Sequence, residues 1–268
     1  MENTRERALP DDKPQTLEDR LVYLKHVALY EYAEKHSPPT RILDLGCGEG
    51  YGAKILASGA RLVVAADYST EAVLHAARKY AAGNVVFVVC DAQHLPFCPD
   101  VFDMVVSFEV IEHLALVRRY LEEIERVLTG TGFCLVSTPN RLLRLLPFQK
   151  PWNRFHLREY DFRGFAKVLE AVFQRVRVCG VTAIPAILDI EKRRVKQNPF
   201  IAYPRMVAHL LLPRSVYKRL KPPKPEVIAA THRIDFERES FSAEDFELAE
   251  GDLKNCITLV AICEQGQR

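Results

Sequence analysis

The stretch that decides the fold is Arg41-Ile-Leu-Asp-Leu-Gly-Cys-Gly-Glu-Gly-Tyr-Gly52. Its apolar beginning is typical of a buried parallel strand, and glycines follow at positions 46, 48, 50 and 52 before a helical segment. Glycine tolerates positive φ and lets a ligand come close to the backbone. The stretch therefore predicts a strand, a tight turn and a helix N-terminus that together hold a ligand.

The spacing of these glycines narrows the choice of ligand. A dinucleotide fingerprint requires G-x-G-x-x-G, and Tyr51 occupies the position of the third glycine. This argues against an NAD-dependent oxidoreductase. Asp44 precedes the glycines, and a carboxylate at that place would attract an ammonium group but repel a pyrophosphate.

The pattern Asp44-x-Gly46-x-Gly48-x-Gly50 resembles the first motif of the class I S-adenosylmethionine-dependent methyltransferases. The resemblance implies an α/β fold with a doubly wound, seven-stranded, mostly parallel sheet, an antiparallel edge hairpin and, in this chain, a helical insertion. It also implies S-adenosyl-L-methionine as cofactor. The expected cofactor contacts are Asp44, Gly46, Cys47, Gly48, Gly50, Tyr51, Asp67, Tyr68, Asp91, Ala92 and Phe108.

Each of the first three predicted strands has an aspartate at or near its carboxyl end. In the first strand this residue is Asp44. Leu62–Ala66 precedes Asp67, at the distance from the glycine turn where α/β nucleotide sites place an acid for the ribose hydroxyls. Val85–Cys90 precedes Asp91, the position at which the resembled family contacts the adenine amino group. Because the carboxyl ends of parallel strands share one edge of a sheet, these acids predict a single crevice.

Composition is that of an ordinary globular protein. The 268 residues are 48% hydrophobic, and 37 basic against 35 acidic residues give a net charge of +2, which provides no general attraction to nucleic acid or membranes. Seven cysteines without a C-x-x-C pair are typical of buried thiols in a reducing compartment. A polar N-terminus and the lack of a long uncharged run predict a cytoplasmic protein without a membrane span.

We expect four segments along the chain. Residues 1–15 form a flexible N-terminus, 16–181 the S-adenosylmethionine-binding core, 182–254 a basic lid or insertion, and 255–268 the last strand of the core sheet and a tail. Residues 192–224 carry ten Lys or Arg and no acid. They form either a lid that contacts an anionic or lipid-linked acceptor, with peripheral membrane contact, or a solvated peripheral insertion.

A helix is predicted after Thr16, which can form a capping box with Asp19. It carries His26, Tyr30 and Tyr32. These side chains either pack the helix over the sheet edge or, as in a subgroup of the resembled family, lie near the cofactor or the acceptor.

The residues that could carry chemistry follow the fourth predicted strand, Phe102–Ser107. Glu109 and Glu112 are three residues apart, so on a helical turn they would share a face beside His113. A second histidine, His156, lies in the segment N-R-F-H-L-R-E-Y. The arrangement resembles the metal site of methyltransferases that modify the 2′-hydroxyl of small RNAs. Ubiquinone-pathway O-methyltransferases share E-x-x-E-H, and bacterial glycan-modifying relatives show both segments and match the widest span.

This resemblance allows two catalytic roles for the same side chains. Glu109, Glu112, His113 and His156 are a mixed oxygen and nitrogen set suited to Mg²⁺ or another divalent metal. Alternatively, the loop shapes the pocket without a metal, and His113 acts as a general base. In either case we expect His113, Glu112 and His156 to be catalytic.

The favoured interpretation is an O-methyltransferase acting on a sugar hydroxyl of a glycan, glycolipid or natural product, with a small-molecule or glycan acceptor. An RNA 3′-end 2′-O-methyltransferase, a quinone or small-molecule O-methyltransferase and a non-catalytic cofactor-binding partner protein stay open as alternatives. The near-neutral charge argues against a nucleic-acid partner. The sequence does not indicate an oligomeric state.

Overall fold

The computed structural model describes residues 16–37, 40–151, 153–195 and 241–265. In this part of the chain, β-strands and α-helices alternate in most places as predicted, but no helix lies between the strands Val85–Val89 and Phe102–Phe108. The strands are β1 (Arg41–Leu45), β2 (Leu62–Asp67), β3 (Val85–Val89), β4 (Phe102–Phe108), β5 (Leu128–Pro139), β6 (Arg175–Ala183), β7 (Phe246–Ala249) and β8 (Thr258–Glu264). The helices are α1 (Leu17–Lys35), α2 (Tyr51–Leu56), α3 (Thr70–Tyr80), α4 (Val117–Val127), α5 (Arg141–Arg144), α6 (Phe162–Glu170) and α7 (Pro185–Val195).

The described strands form one sheet in the order β3-β2-β1-β4-β5-β8-β6-β7. The first five of these are parallel, and β8 is antiparallel to both of its neighbours. The winding direction reverses between β1 and β4, which is where α/β sheets form a ligand crevice. The predicted doubly wound, mostly parallel sheet is confirmed.

The predicted number of seven strands is wrong, because the sheet has eight. β7 pairs with β6 in antiparallel register from Gly180↔Ala249 to Ala183↔Phe246. It therefore forms the edge of the sheet. β6 and β8 pair in antiparallel fashion next to it and are not the edge strands. The four residues of β7 lie in the range we assigned to the insertion.

The sheet buries an apolar layer on each face because successive side chains of a strand point to opposite sides. On β1, Ile42 packs in one layer with Leu21 and Leu29 of α1. Its neighbour Leu43 packs in the other layer with Leu121 of α4 and further residues of the opposite face. The two layers hold the carboxyl ends of the strands at one rim.

Helix α1 begins after Thr16 as the sequence predicts, but the Asp19 carboxylate binds the Thr16 hydroxyl instead of the Thr16 backbone N–H that a capping box would require. The Thr16 hydroxyl accepts a hydrogen bond from the Asp19 backbone N–H at 3.1 Å and donates one to the Asp19 carboxylate at 2.7 Å. This cap stabilises the first turn by about 1 kcal/mol. The helix then places His26 and Tyr30 against the glycine turn.

Part of the predicted domain organisation lies outside the described residues. This applies to the N-terminal segment 1–15 and to most of the basic stretch 192–224, of which only the end of α7 is described. Within the described residues, no helix is both long and apolar enough to cross a bilayer.

Candidate active site

The glycine turn after β1 has the backbone conformation that its sequence requires. Gly46, Gly48 and Gly50 have φ of 85°, 52° and 82°. A Cβ on Gly46 would overlap the Val110 side chain, and one on Gly50 would lie 2.6 Å from the Cβ of Ala76. A Cβ on Gly48 would meet nothing within 4 Å. Two of these glycines are therefore also required for packing, whereas Gly48 faces open space.

Asp67, at the end of β2, is held in place by the glycine turn. One of its oxygens accepts the backbone N–H of Gly48 at 3.0 Å, and the other accepts that of Ser69 at 2.8 Å. Each carboxylate oxygen can accept a second hydrogen bond. The arrangement suits a ligand that presents two neighbouring hydroxyls, such as a ribose.

These elements border a cleft of about 720 Å³, which is in the range of small-ligand sites. Nine of the eleven predicted cofactor residues line it. They are Gly46, Cys47, Gly48, Tyr51, Asp67, Tyr68, Asp91, Ala92 and Phe108. The structure thus brings most of the predicted cofactor site together in one cavity.

Asp91 and Phe108 differ in how they are fixed at this cleft. Partial burial raises the pKa of Asp91, but hydrogen bonds from Gln93 and His94 outweigh it and lower the pKa below its usual value. Phe108 is buried and packs edge-to-face on Tyr30 with ring centroids 5.0 Å apart. Asp91 is therefore an ionised acceptor, while Phe108 supplies apolar surface.

Asp44 and Gly50 do not line the cleft. The Asp44 side chain is completely buried behind the turn, where it accepts a hydrogen bond from the Tyr30 hydroxyl at 2.9 Å. Burial raises the pKa of Asp44 to about 7; the Tyr30 hydrogen bond acts in the opposite direction, and the Asp67 charge adds to the increase. We predicted that Asp44 contacts the cofactor. In the structure its side chain is buried behind the glycine turn and does not reach the cleft.

Glu109 lies at the cleft but away from the other predicted metal ligands. Its carboxylate is 2.7 Å from the Lys25 ammonium, 3.0 Å from the Thr258 hydroxyl and 3.5 Å from His26 Nε2. Burial raises the pKa of Glu109, but Lys25 and His26 together hold it well below its usual range. The carboxylate is therefore the ionised partner of two side chains of α1.

The prediction that Glu109 and Glu112 share a helical face is wrong. Glu109 has a φ of 55°, and only Ile111–His113 form a short 3-10 helix. The left-handed residue before that helix turns the two carboxylates apart. Among the described residues, the group that could hold a metal consists of Glu112, His113 and His156 without Glu109.

Glu112, His113 and His156 form a compact cluster. Each offers one ligand atom, and these atoms lie within 4.8 Å of one another. The two imidazole rings meet edge-to-face with centroids 4.9 Å apart. Glu112 is completely buried and accepts a hydrogen bond from the Thr138 hydroxyl at 3.2 Å. Glu112 and His113 line the cleft, so the cluster adjoins the predicted cofactor site.

Hydrogen bonds determine which nitrogen of each imidazole carries a proton. His113 Nδ1 lies 3.1 Å from the Phe155 carbonyl oxygen, and His156 Nδ1 lies 2.8 Å from a Glu159 carboxylate oxygen. A carbonyl or carboxylate oxygen can only accept, so both Nδ1 atoms donate and each neutral ring has its lone pair on Nε2. One carboxylate and two such imidazoles fit a divalent ion with open positions, and His113 fits a general base equally well.

Three residues at this site were missed by the sequence reasoning. Lys25 balances Glu109, Thr138 binds Glu112, and Glu159 binds His156. The sequence offered two signals. Lys25 lies among the apolar positions of a predicted helix, and Glu159 follows His156 in the pattern H-x-x-E. Neither signal identifies a partner without the tertiary structure.

The fold, the glycine turn and the acid at the end of β2 define a protein that binds a nucleoside-containing cofactor at the switch point of an α/β sheet. A family model described as a methyltransferase domain matches residues 43–136. The chain is 36% identical over 191 residues to a probable S-adenosylmethionine-dependent methyltransferase of Mycobacterium tuberculosis (strain H37Rv), across 71% of this chain and 68% of that protein. The chain belongs to the S-adenosylmethionine-dependent methyltransferases, and S-adenosylmethionine is its methyl donor.

Two other similarities cover different shares of the chain. The ubiquinone biosynthesis O-methyltransferase of Sinorhizobium fredii is 31% identical over 133 residues, across 47% of this chain and 53% of that protein. The crystal structure of the [4+2]-cyclase SpnF has the same fold, with a TM-score of 0.56 and 17% identity across 96% of this chain and 86% of that one. The fold is thus shared with a protein named for another reaction, so the acceptor chemistry must be argued from the site.

Proposed function

We propose that this enzyme transfers the methyl group of S-adenosylmethionine to a hydroxyl oxygen, on a sugar of a glycan, glycolipid or natural product. The proposal depends mainly on one observation: Glu112 and His113 line the same cleft as the predicted cofactor-binding residues. His156 lies next to both of them. A hydroxyl must lose its proton as it attacks the methyl carbon. The cluster supplies groups that can remove that proton where the acceptor would enter.

In the metal-free form of this proposal, His113 is the general base. Because its Nδ1 donates to the Phe155 carbonyl, Nε2 can accept the proton from the acceptor hydroxyl. The C–S bond of the donor breaks as the C–O bond forms, which gives a methyl ether, S-adenosylhomocysteine and an imidazolium ion. The buried carboxylate of Glu112 stabilises that positive charge.

In the metal-assisted form, Glu112, His113 and His156 would hold Mg²⁺ or another divalent ion. The ion would supply Lewis-acid chemistry, which would lower the pKa of the acceptor hydroxyl so that its proton could pass to water. The three side chains would thereby orient the acceptor. The hydrogen bonds to Phe155 and Glu159 keep both imidazoles in the tautomer that a metal requires.

A sugar acceptor is supported by the resemblance of both histidine segments to glycan-modifying enzymes and by Phe155 at the cleft. Phe155 is 36% exposed, and its ring, which has the Arg154 guanidinium 4.6 Å from its centroid, offers apolar surface beside the polar cluster. We expect residues 192–224 to contact a negatively charged or lipid-linked part of such an acceptor. A phenolic acceptor is the second candidate, which the similarity to the Sinorhizobium enzyme favours.

Methyl transfer from a labelled donor to fractionated glycans, lipids and quinone precursors tests the proposal. We expect label in a methyl ether of a carbohydrate fraction. Label confined to a phenolic fraction would support the second candidate, and label on nitrogen or carbon would contradict O-methylation altogether.

Treatment with EDTA separates the two catalytic forms. If a metal takes part, we expect the initial rate to fall at least about 100-fold and to recover when Mg²⁺ or Mn²⁺ is added, because an alcohol is far too weak an acid to ionise unaided. An unchanged rate would eliminate the metal and leave His113 as the base.

A further inference from the structure

His156 is supported by a buried charged residue that is not part of the proposed metal or base group. Glu159 Oε1 lies 2.8 Å from His156 Nδ1, and the side chains of the two residues are 0% and 1% exposed. Arg144, on α5, has its Nε 3.6 Å from the same oxygen and a side chain that is 15% exposed. Two separate segments of the chain thus meet at the Glu159 carboxylate.

Burying the Glu159 carboxylate lowers the stability of the folded protein. A carboxylate removed from water loses several kcal/mol of solvation unless hydrogen bonds and opposite charges replace it. Glu159 Oε2 is buried without a hydrogen-bond partner among the described residues. A leucine at position 159 would avoid that loss, so packing alone does not account for a glutamate at this position.

From this geometry we infer that Glu159 is the positioning residue of the active site and that it holds His156 as the Nδ1–H tautomer with the lone pair on Nε2. The Arg144 guanidinium lies beside the Glu159 carboxylate and helps to hold it in place. The edge-to-face contact with His113 then limits rotation of the His156 ring. The catalytic part of this inference rests on the proposed function, whereas the tautomer does not.

A carboxylate behind a histidine acts in the same way for a metal ligand and for a base. It orients the ring, selects the nitrogen that faces the substrate side and increases the basicity of that nitrogen. In the metal-assisted form this ring is a ligand, and in the metal-free form His156 acts through its edge-to-face contact with the base, His113. It also explains why H-x-x-E places the glutamate three residues after the histidine, where a turn brings the two side chains together.

The test is the protonation of His156 in the full-length protein labelled with ¹⁵N-histidine. Two-bond ¹H–¹⁵N correlations distinguish the tautomers, and His156→Gln identifies the signals of this residue. We expect a protonated Nδ1 and an unprotonated Nε2 in the wild type. Glu159→Leu removes the acceptor and should move the proton largely to Nε2, whereas Glu159→Gln should preserve the wild-type pattern in part through its amide oxygen.

Methyl transfer to the acceptor fraction found by labelling gives the second measurement. We expect Glu159→Leu to lower kcat by about 10- to 100-fold with unchanged donor affinity, and Glu159→Gln to recover part of the rate. Glu170→Leu, at an exposed position of α6, is the matched control and should change neither measurement. If Glu159→Leu does not fold, Arg144→Leu/Glu159→Leu, which removes both charges, carries the same test.

Two results would overturn the inference. One is a wild-type His156 with a proton on Nε2, and the other is a Glu159→Leu variant whose tautomer and kcat match the wild type. A failure of methyl transfer in the wild type would reject the proposed function but leave the tautomer result intact, so the two failures are distinguishable.

Discussion

Asp44 is the first residue of the glycine-rich motif, yet its side chain is completely buried. Its carboxylate accepts one hydrogen bond from Tyr30, and its other oxygen has no partner among the described residues. On β1 the side chain of Asp44 lies on the same face as that of Ile42, because alternate residues of a strand share a face. That face is covered by α1. The motif was recognised from local sequence, but the direction of this side chain depends on the helix that covers the strand.

The raised pKa of Asp44 predicts a pH-dependent stability. The unfolded chain ionises this group near its usual pKa, whereas the folded protein does so only near pH 7, so the folded state loses stability as pH rises from about 4 to about 7. Asp44→Asn cannot ionise and should remove this loss. We expect the variant to exceed the wild type by a few kcal/mol at pH 8 and to match it near pH 4 in urea unfolding. Parallel pH profiles for the two proteins would refute this explanation.

Asp67 should control donor affinity. We propose that Asp67 accepts both ribose hydroxyls, so removing its carboxylate would delete two charge-assisted hydrogen bonds, each of which contributes about 1.5–3 kcal/mol. We expect Asp67→Ala to weaken S-adenosylmethionine binding at least about 100-fold by calorimetry. Asp103→Asn is the control, because this acid pairs with Arg41 and does not line the cleft. Equal affinities for wild type and Asp67→Ala would place the ribose elsewhere.

Among the elements, α1 and the end of β4 are joined by the Lys25–Glu109 ion pair. Lys25 is 5% exposed, and its ammonium also donates to the Thr258 hydroxyl at 3.0 Å, so the pair connects α1 with β8 as well. The predicted helical pairing of Glu109 with Glu112 failed because the backbone at Glu109 takes a left-handed conformation. Sequence spacing assumes one regular element across both residues, and here a strand end, a left-handed residue and a 3-10 turn intervene.

The ion pair gives a stability prediction for α1. Lys25→Met leaves the Glu109 carboxylate buried with only His26 and the Thr258 hydroxyl beside it, and loss of one partner of a buried pair costs about 3–5 kcal/mol. We expect urea unfolding to show a loss of this size. The double variant Lys25→Met/Glu109→Gln should recover much of it, because no buried charge then lacks its partner.

The control for this prediction is Lys35→Met, at an exposed position in the last turn of α1. It should change the free energy of unfolding by less than about 0.5 kcal/mol. If Lys25→Met is equally silent, or if the double variant is no more stable than the single one, the ion pair does not stabilise the docking of α1.

At the scale of the whole molecule, the parallel half of the sheet was predictable and its antiparallel end only in part. Strands β1 to β5 each contain an apolar run, and helices join all of them in sequence except β3 and β4, so local pattern and the rules for crossovers suffice. β7 has only four residues and pairs with β6 across more than sixty intervening residues. Such a short strand has no distinct local signal, and its pairing depends on a tertiary contact.

The candidate site was likewise predictable only in part from the sequence. Asp67 at the end of β2 and Asp91 shortly after β3 reach the cleft because strand ends converge at one rim, which the predicted parallel sheet implies. His156 reaches Glu112 and His113 because the backbone N–H of Leu157 donates to the Glu112 carbonyl at 2.9 Å, which fixes the later segment against the 3-10 turn. The residue types were recognisable in the sequence, whereas this contact required the folded chain.

The most direct test of the central claim, that one cleft joins the donor site to the Glu112 cluster, is the rate of methyl transfer by Glu112→Gln at saturating donor. We predict that kcat falls at least about 100-fold while calorimetry gives an unchanged affinity for S-adenosylmethionine, because the variant removes the charge that supports proton removal or metal binding. Glu122→Gln, in the exposed pair with Arg118, should behave like the wild type. A Glu112→Gln rate within twofold of the wild type would contradict the account.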